Sequence, residues 1–161
     1  MPDTEILCLC GSEIEYSLCC EPFHKKLKLP STAEALMRSR FTAYAKQNEA
    51  YLLETWDTST KPNIIDFSKE QAVWTSLSII KTKKGSEKDR KGIVEFKAYY
   101  MLDNEAYVMN EISRFIKASG QWCYLEGLVK SVSMVSQQSS QGKNALCSCG
   151  SGKKFKRCCG K

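Results

Sequence analysis

Cys147-Ser148-Cys149, followed by Cys158-Cys159, closes the chain, and the same pattern opens it as Cys8-Leu9-Cys10 and Cys19-Cys20. Both copies have the spacing C-x-C-x8-C-C, so one constant offset superimposes all four cysteines. Four thiols that a reversing loop brings together are the donor set of a tetrahedral metal site. We therefore predict a small metal-binding knuckle at each end, at residues 1–29 and 145–161, on either side of a central domain.

The chain carries no sign of export or of a membrane span. It has no run of about 18 apolar residues, and its first residues are acidic, where a signal peptide needs positive charge. We expect a cytoplasmic protein that does not enter the membrane. In a reducing cytosol, clustered cysteines favour metal, although disulfides within or between the knuckles remain an alternative. Zinc suits four tetrahedral thiolates, so we predict two zinc ions.

Charge gives a weaker indication of partners. The formal net charge of the 161-residue chain is +6. Four thiolates around one Zn²⁺ carry −2, so two zinc sites bring the metallated chain to about +2. A general affinity for nucleic acid therefore does not follow. The distribution is more informative, because no acidic residue follows Glu126, whereas the first thirty residues carry five acids.

The N-terminal knuckle is too short to fold on its own apolar surface. Ordering its loop costs on the order of 20 kcal/mol, and structural zinc supplies an apparent ~10–16 kcal/mol in small peptides. We predict a structural metal, with further stabilisation from docking on the central domain through Ile14, Tyr16 or Leu18. His24, the only histidine, could replace Cys19 or Cys20 as a ligand, but an ordinary packing role is favoured.

The first half of the central domain has helical periodicity. Residues 32–46 predict an amphipathic helix, because apolar side chains recur at a spacing of three to four residues. Ser31 and Glu34 predict a capping box at its start. A second helix is predicted from Asn48 through Trp56, and a short helical turn is predicted around residues 68–72.

Strand patterns follow. Residues 73–80 are rich in β-formers, residues 94–102 alternate, and two further strands are predicted around the turns Asp103-Asn104 and Ser119-Gly120. The charged stretch 81–91 is interpreted as a solvated hairpin loop rather than a nucleic-acid patch. Helices followed by an antiparallel meander predict an α+β domain at residues 30–130, with the helices on one face of the sheet. The Ser- and Gln-rich residues 131–144 predict a linker.

Several stretches resemble a known family. Leu36-Met37-Arg38-Ser39-Arg40-Phe41-Thr42-Ala43-Tyr44 and Tyr51-Leu52-Leu53-Glu54-Thr55-Trp56 are similar to the helical signature of the bacterial YchJ-type family, whose function is uncharacterised. Glu111-x-Ser113-x-Phe115 and Gly120-x-Trp122-x-Tyr124 are similar to its strand signature. The resemblance covers nearly the whole chain. It implies a nuclear transport factor 2-like (cystatin-like) middle domain, in which a curved antiparallel sheet wraps round a long helix as a cone with an internal pocket.

The pocket residues come from strand alternation. Glu111 and Ser113 share one strand face, as do Tyr124 and Glu126. If these faces line the cone, Glu111 and Glu126 are buried carboxylates, and Arg38 and Arg40 are the expected partners. Such a carboxylate could act as a general acid or base, but a structural Arg–Glu pair is favoured. The weak pocket candidates are Glu111, Ser113, Arg38 and Tyr124. Cys123 is interpreted as a small buried hydrophobic residue.

The C-terminal stretch resembles the SEC-C motif, which is named for the zinc tail of the SecA translocase. The resemblance implies Cys147, Cys149, Cys158 and Cys159 as ligands there, and Cys8, Cys10, Cys19 and Cys20 in the N-terminal copy. Only the C-terminal copy has a basic loop around an aromatic residue, formed by Lys153, Lys154, Phe155, Lys156 and Arg157. In the translocase such a tail contacts a chaperone and the ribosome. We expect the basic loop to bind a partner.

Two functions are weighed. The leading hypothesis is a zinc-binding module without enzymatic activity that engages a chaperone-like or ribosomal protein through the C-terminal knuckle, with nucleic acid as a second partner class. The alternative is an enzyme or small-molecule binder that uses the pocket of the cone. No histidine occurs in residues 31–161, which weakens the enzymatic case. A third hypothesis, zinc storage or sensing, predicts metal that exchanges readily.

Overall fold

Helix α2, Ala33–Ala45, is the central element of the computed structural model, which describes residues 7–69 and 71–135. The side-chain oxygen of Thr32 caps this helix by accepting a hydrogen bond from the amide of Ala35 at 3.0 Å. The predicted capping box is wrong, because the cap is Thr32 rather than Ser31. Glu34 instead accepts a hydrogen bond from Nε of Arg38, one helical turn later, at 3.0 Å.

Two shorter helices flank α2. Helix α1, Glu21–His24, follows the N-terminal cysteines, and helix α3, Glu49–Glu54, follows α2. The Asn48 side chain caps α3 through a 3.2 Å hydrogen bond from the Tyr51 amide, as predicted. The helix ends at Glu54, so Trp56 lies outside it and forms a parallel bridge with Tyr124. Single 3₁₀ turns occur at Tyr16–Leu18 and Phe67–Lys69.

Four antiparallel strands follow in the order β1-β2-β3-β4. They are β1 Val73–Lys84, β2 Lys91–Leu102, β3 Glu105–Ala118 and β4 Gln121–Met134. Positive φ angles at Asp103 and Asn104, and again at Ser119 and Gly120, form the tight two-residue turns that suit hairpins. The α+β meander predicted from the sequence is confirmed.

The strands are long and irregular. Register shifts interrupt the β1–β2 pairing at two places and the β3–β4 pairing at two more. Such bulges bend a strand and increase its twist, which curves the sheet around α2. Strand β4 runs to Met134, past the boundary at residue 130 that the sequence predicted.

The core packs against α2 from more than one side. Leu36 and Phe41 pack with the inner face of the sheet, whereas Ala43 packs with Tyr51 and Leu52 of α3. The buried cysteines Cys8, Cys10 and Cys20 belong to the larger cluster. The prediction of an amphipathic helix is therefore wrong, since the N-terminal knuckle and α3 cover the sides that it left to solvent.

Among the described residues, no helix is both long and apolar enough to cross a membrane.

Candidate metal centre and central cavity

The four N-terminal cysteines form one compact cluster. One ligand atom from each of Cys8, Cys10, Cys19 and Cys20 lies within 4.8 Å of the others. The Sγ atoms of Cys10 and Cys19 are 3.5 Å apart, and those of Cys19 and Cys20 are 3.8 Å apart. Tetrahedral zinc with Zn–S bonds of about 2.3 Å requires sulfurs about 3.8 Å apart. The donor set and its spacing therefore fit a zinc ion.

The four thiols are free, and the charge of each one affects the pKa values of its neighbours. All four are unoxidised, so the disulfide alternative does not describe this knuckle. Hydrogen bonds from Cys20 and Cys8 hold the pKa of the Cys10 thiol far below its usual range. The hydrogen bond to Cys10 is also the largest cause that raises the pKa of Cys20. Close contact among the thiols thus favours a thiolate within the cluster, which is the form that binds a metal cation.

Helix α2 supplies polar groups behind the sulfurs. The Thr42 hydroxyl lies 3.4 Å from Sγ of Cys8 and 3.5 Å from Sγ of Cys20. The Arg38 guanidinium donates to the carbonyl of Cys10. Within the knuckle, the Ser12 hydroxyl lies 3.0 Å from Sγ of Cys19. Such outer contacts orient metal ligands and tune their affinity.

The knuckle docks on the core through its own ligands. Cys10 and Cys20 are almost completely buried, and Tyr16 packs against the same cluster. Of the three residues predicted as alternatives for docking, Tyr16 packs against the core, whereas Ile14 and Leu18 are 47% and 68% exposed. The sulfurs of Cys8 and Cys20 contact Thr42 of α2, whereas Ile14 and Leu18 lie on the exposed side of the loop.

His24 packs beside the knuckle. Its Nε2 lies 2.8 Å from the carbonyl oxygen of Ser39, and its Nδ1 lies 2.8 Å from the hydroxyl of Tyr16. A carbonyl oxygen only accepts, so Nε2 carries the proton and Nδ1 accepts from Tyr16. Both nitrogens are engaged, and burial lowers the pKa of the ring. The arrangement matches the packing role favoured from the sequence.

A cavity of about 170 Å³ lies between α2 and the sheet. It brings together three of the four pocket candidates, Glu111, Ser113 and Tyr124. Arg38 does not line it, because its side chain lies on the knuckle side of α2. Arg40, two residues later, lines the cavity in its place, together with aromatic side chains that include Phe41 and Trp74.

Glu111 is the half-buried carboxyl of this cavity. Its Oε2 accepts a 2.8 Å hydrogen bond from the Ser113 hydroxyl. Burial raises the pKa of Glu111, although Ser113 and the charge of Arg40 act in the opposite direction. A side chain at position 127 would collide with Oε2 of Glu111 and with the Tyr124 hydroxyl, so Gly127 allows this close approach. Burial, followed by the charge of Glu111, raises the pKa of Tyr124 to about 12.

Glu126 does not belong to the cavity. A register shift between Arg114 and Phe115 pairs Phe115 with Tyr124 and Arg114 with Glu126. The extra residue of this bulge ends the strict alternation from which the sequence placed Glu126 beside Tyr124. Glu126 instead forms a 2.9 Å salt bridge with Arg114, and both side chains are more than half exposed. The prediction for Glu126 is wrong.

Arg40 is almost completely buried. Its Nη1 donates to the carbonyl of Leu52 at 2.8 Å and to the hydroxyl of Thr55 at 2.7 Å. The guanidinium also lies over the rings of Tyr124 and Trp56, 4.6 and 5.0 Å from their centroids. The arginine is thus positioned by α3 and β4 rather than by the carboxylate that the sequence suggested.

Cys123 is separate from both sites. It is half-buried on β4, and burial raises the pKa of its thiol. A raised pKa disfavours the reactive thiolate, which agrees with a packing role.

Family models match the chain over both of these sites. The model described as YchJ, middle NTF2-like domain, matches residues 32–127, more than half of the chain. The chain belongs to the YchJ family. The SEC-C motif matches it twice, at residues 6–22 and 144–161.

Relatives extend along the whole length of this YchJ-family protein. A UPF0225 protein of Serratia proteamaculans is 41% identical, over 96% of this chain and 98% of the relative. A UPF0225 protein of Photorhabdus laumondii is 39% identical with the same coverage. A solution structure of a SEC-C motif containing protein from Rhodopseudomonas palustris is similar, with a TM-score of 0.69 and 30% identity over 78% of this chain and 100% of that one. A crystal structure of a sec-c motif containing protein from Psychrobacter arcticus has a TM-score of 0.63 and 28% identity over 96% and 95%.

The second SEC-C match covers the predicted C-terminal knuckle of this YchJ-family protein. Its four cysteines and its basic loop lie outside the described residues. Sequence reasoning missed Thr42 behind the sulfurs and Trp74 at the cavity. Neither residue belongs to a metal or catalytic pattern, so only the packing of α2 against the knuckle and the sheet reveals them.

Proposed function

We propose that this YchJ-family protein is a zinc-binding interaction protein, in which zinc folds both knuckles and the C-terminal knuckle binds a partner. The observation that carries the zinc assignment is the cluster of four free thiols at the N-terminus, with sulfur spacings that suit a tetrahedral ion. The same ligand pattern recurs in the C-terminal SEC-C match.

The partner role rests on the difference between the two copies. The N-terminal copy has Glu13, Ile14 and Glu15 where the C-terminal copy has Gly152 and the lysines Lys153 and Lys154. The N-terminal copy is buried against α2 through its cysteines, which leaves it a structural role. The added positive charge around Phe155 favours an acidic protein surface, such as that of a chaperone or a ribosomal protein.

A charge-reversal experiment tests this role. In the full-length protein, Lys153, Lys154, Lys156 and Arg157 are replaced by Glu, and partners are captured from a bacterial lysate. The matched control reverses four exposed charges elsewhere, at Lys81, Lys83, Lys88 and Arg90. We expect the first variant to lose its partners and the control to keep them.

Nuclease treatment separates the two partner classes. A protein partner is still captured after digestion of nucleic acid, whereas a partner held through RNA is lost. Identical partner sets for the wild type and the C-terminal variant would refute the proposed role of the basic loop.

A further inference from the structure

The central cavity is lined by a buried cation, Arg40, that has no carboxylate within salt-bridge distance among the described residues. Arg40 is 2% exposed, and its hydrogen-bond partners are neutral: the oxygens of Leu52 and Thr55 and the side chain of Tyr44. No salt bridge within 4.0 Å joins Arg40 to an acidic group in residues 7–69 and 71–135. Buried charges in proteins are ordinarily paired. The Arg40 guanidinium can therefore still form an ion pair with an anionic ligand.

A second donor lines the same cavity. The indole nitrogen Nε1 of Trp74 is buried and has no hydrogen-bond partner in the part of the chain that the structure describes. Buried indole N–H groups ordinarily find an acceptor. The Trp74 ring is held in place, because it packs edge-on against Phe41 and tilted against Tyr100. Two donors of one cavity thus favour a ligand with acceptor oxygens.

The rest of the wall is apolar and small. Phe41, Phe96, Met37 and Met109 line the cavity beside Ala98. Its volume of about 170 Å³ is comparable with that of an apolar cavity of about 150 Å³ that holds one benzene ring. The walls and the size together select a ligand body of about one six-membered ring.

Glu111 is the cavity residue whose charge state decides whether an anionic ligand is repelled. Ionised, it would repel a ligand carboxylate, whereas protonated it would donate a hydrogen bond to one. Burial raises the pKa of Glu111, although the hydrogen bond from Ser113 and the charge of Arg40 act against this shift.

We propose that the cavity binds a small organic carboxylate with an aromatic or ring-sized apolar body. The carboxylate pairs with Arg40 and accepts from Trp74, and the body lies against the aromatic and methionine side chains. This site is independent of both knuckles as a binding function, so it goes beyond the partner role proposed above.

Three probes of one size test the charge preference. Benzoate, benzamide and benzylamine are titrated by calorimetry into the full-length, zinc-loaded protein. We expect benzoate to bind about tenfold or more tightly than benzamide, because hydrogen bonds between charged groups are stronger than neutral ones. Benzylamine should not bind. Equal affinities for benzoate and benzamide, tighter binding of benzylamine, or no binding of any probe would overturn the proposal.

Substitutions of cavity residues test where the probes bind and whether the site prefers an anion or a cation. Glu111→Gln replaces a carboxyl that repels an anion when it is ionised by an amide that can donate a hydrogen bond at any pH, so benzoate affinity should rise at a pH where Glu111 is ionised, whereas a cation site would lose affinity. Trp74→Phe keeps the ring and loses the donor, and should weaken benzoate severalfold. Ala98→Leu fills the cavity and should abolish binding.

Arg40→Gln should also abolish benzoate binding, with Arg114→Gln on the outer face of the sheet as the matched control. Should Arg40→Gln fail to fold, the Glu111→Gln and Trp74→Phe results decide the matter. A fall in affinity with Glu111→Gln, or none with Trp74→Phe, would contradict the assignment. The C-terminal loop takes no part in these titrations, so their failure would leave the partner role standing.

Discussion

Helix α2 has two functional sides that differ in how completely their polar groups are satisfied. On the knuckle side, Arg38 bonds to Glu34 and to the carbonyl of Cys10, and Thr42 lies within 3.5 Å of two cysteine sulfurs. On the cavity side, Arg40 is buried without a carboxylate at salt-bridge distance among the described residues, and Trp74 retains an unpaired donor. Both sides are built on a single helix of thirteen residues.

This difference indicates that the knuckle side of α2 serves folding and that the cavity side serves ligand binding. A side whose donors and acceptors are engaged within the chain would stabilise the structure if its cysteines bind the metal proposed above. A side that buries an unpaired charge and an unpaired donor beside a cavity lowers the stability of the folded protein. A ligand that pairs with both groups can restore that stability. The following substitutions challenge that contrast.

The largest effect is expected for Cys20→Ser, which removes a buried ligand from the knuckle side. Structural zinc supplies an apparent ~10–16 kcal/mol in small peptides. Loss of about 4 kcal/mol of this would lower Tm by about 10 °C in a chain of this size. Thermal unfolding measures it, with Cys123→Ser, a half-buried thiol outside the cluster, as the control. Equal shifts for the two variants would show that the cluster has no special role.

Thr42→Val should weaken zinc binding while keeping the volume of the side chain. The hydroxyl lies close to Cys8 and Cys20, and loss of such an outer contact lowers metal affinity by about tenfold or more. Competition with a chromogenic chelator measures the affinity. Thr42→Ser keeps the hydroxyl and should behave as wild type, so a matched loss in both variants would point to packing instead.

Glu111→Gln should raise Tm at pH 7, by less than Cys20→Ser lowers it. Burial raises the pKa of Glu111 above its ordinary 4.5. The wild type therefore loses stability as pH rises from that value through the folded pKa, and the amide avoids the loss. The advantage should vanish near pH 4, where both states of the wild type are protonated.

The control for this comparison is Glu126→Gln, on the outer face of the sheet. That exposed carboxylate pairs with Arg114, and an exposed pair contributes about 0–1 kcal/mol. Its replacement should leave Tm unchanged or slightly lower. A stabilisation of the same size at both positions would remove the distinction between the cavity and the surface.

The smallest effect is expected at His24. Desolvation lowers the pKa of His24, Lys46 acts in the same direction, and the Ser39 carbonyl and Glu21 oppose it. Since the folded pKa lies below the unfolded value of 6.5, the stability that the neutral ring contributes is lost as pH falls from about 6.5 through the folded pKa. His24→Gln should show a shallower loss of Tm between pH 7 and 5. Parallel profiles would argue against a buried neutral ring.

Local patterns predicted most of the architecture. Helix α2, the Asn48 cap, the turns at Asp103-Asn104 and Ser119-Gly120 and the antiparallel meander all depend on short-range periodicity and turn chemistry. The gathering of Cys8, Cys10, Cys19 and Cys20 followed from their spacing. These features are encoded within a few residues of where they occur.

The site details depend on contacts distant in sequence. The alternation of side chains along β4 predicted that Glu126 lies in the cavity, but a one-residue bulge places its side chain on the outer face of the sheet. Arg38 and Arg40 are two positions apart on one helix and therefore lie on different sides of it. Helical spacing alone did not predict which side faces the knuckle and which faces the cavity. The orphan donor of Trp74 depends on which groups surround it and has no local signal.

Zinc counting by native mass spectrometry tests the central claim, that the cysteines serve folding through metal while the charged surfaces serve binding. The full-length protein should carry two zinc ions. Cys20→Ser and Cys158→Ser should each carry one, and their combination none. The variant with Glu at positions 153, 154, 156 and 157 should keep both ions while it loses its partners. A wild-type chain without zinc and with intact disulfides, or loss of zinc from the charge-reversal variant, would contradict the account.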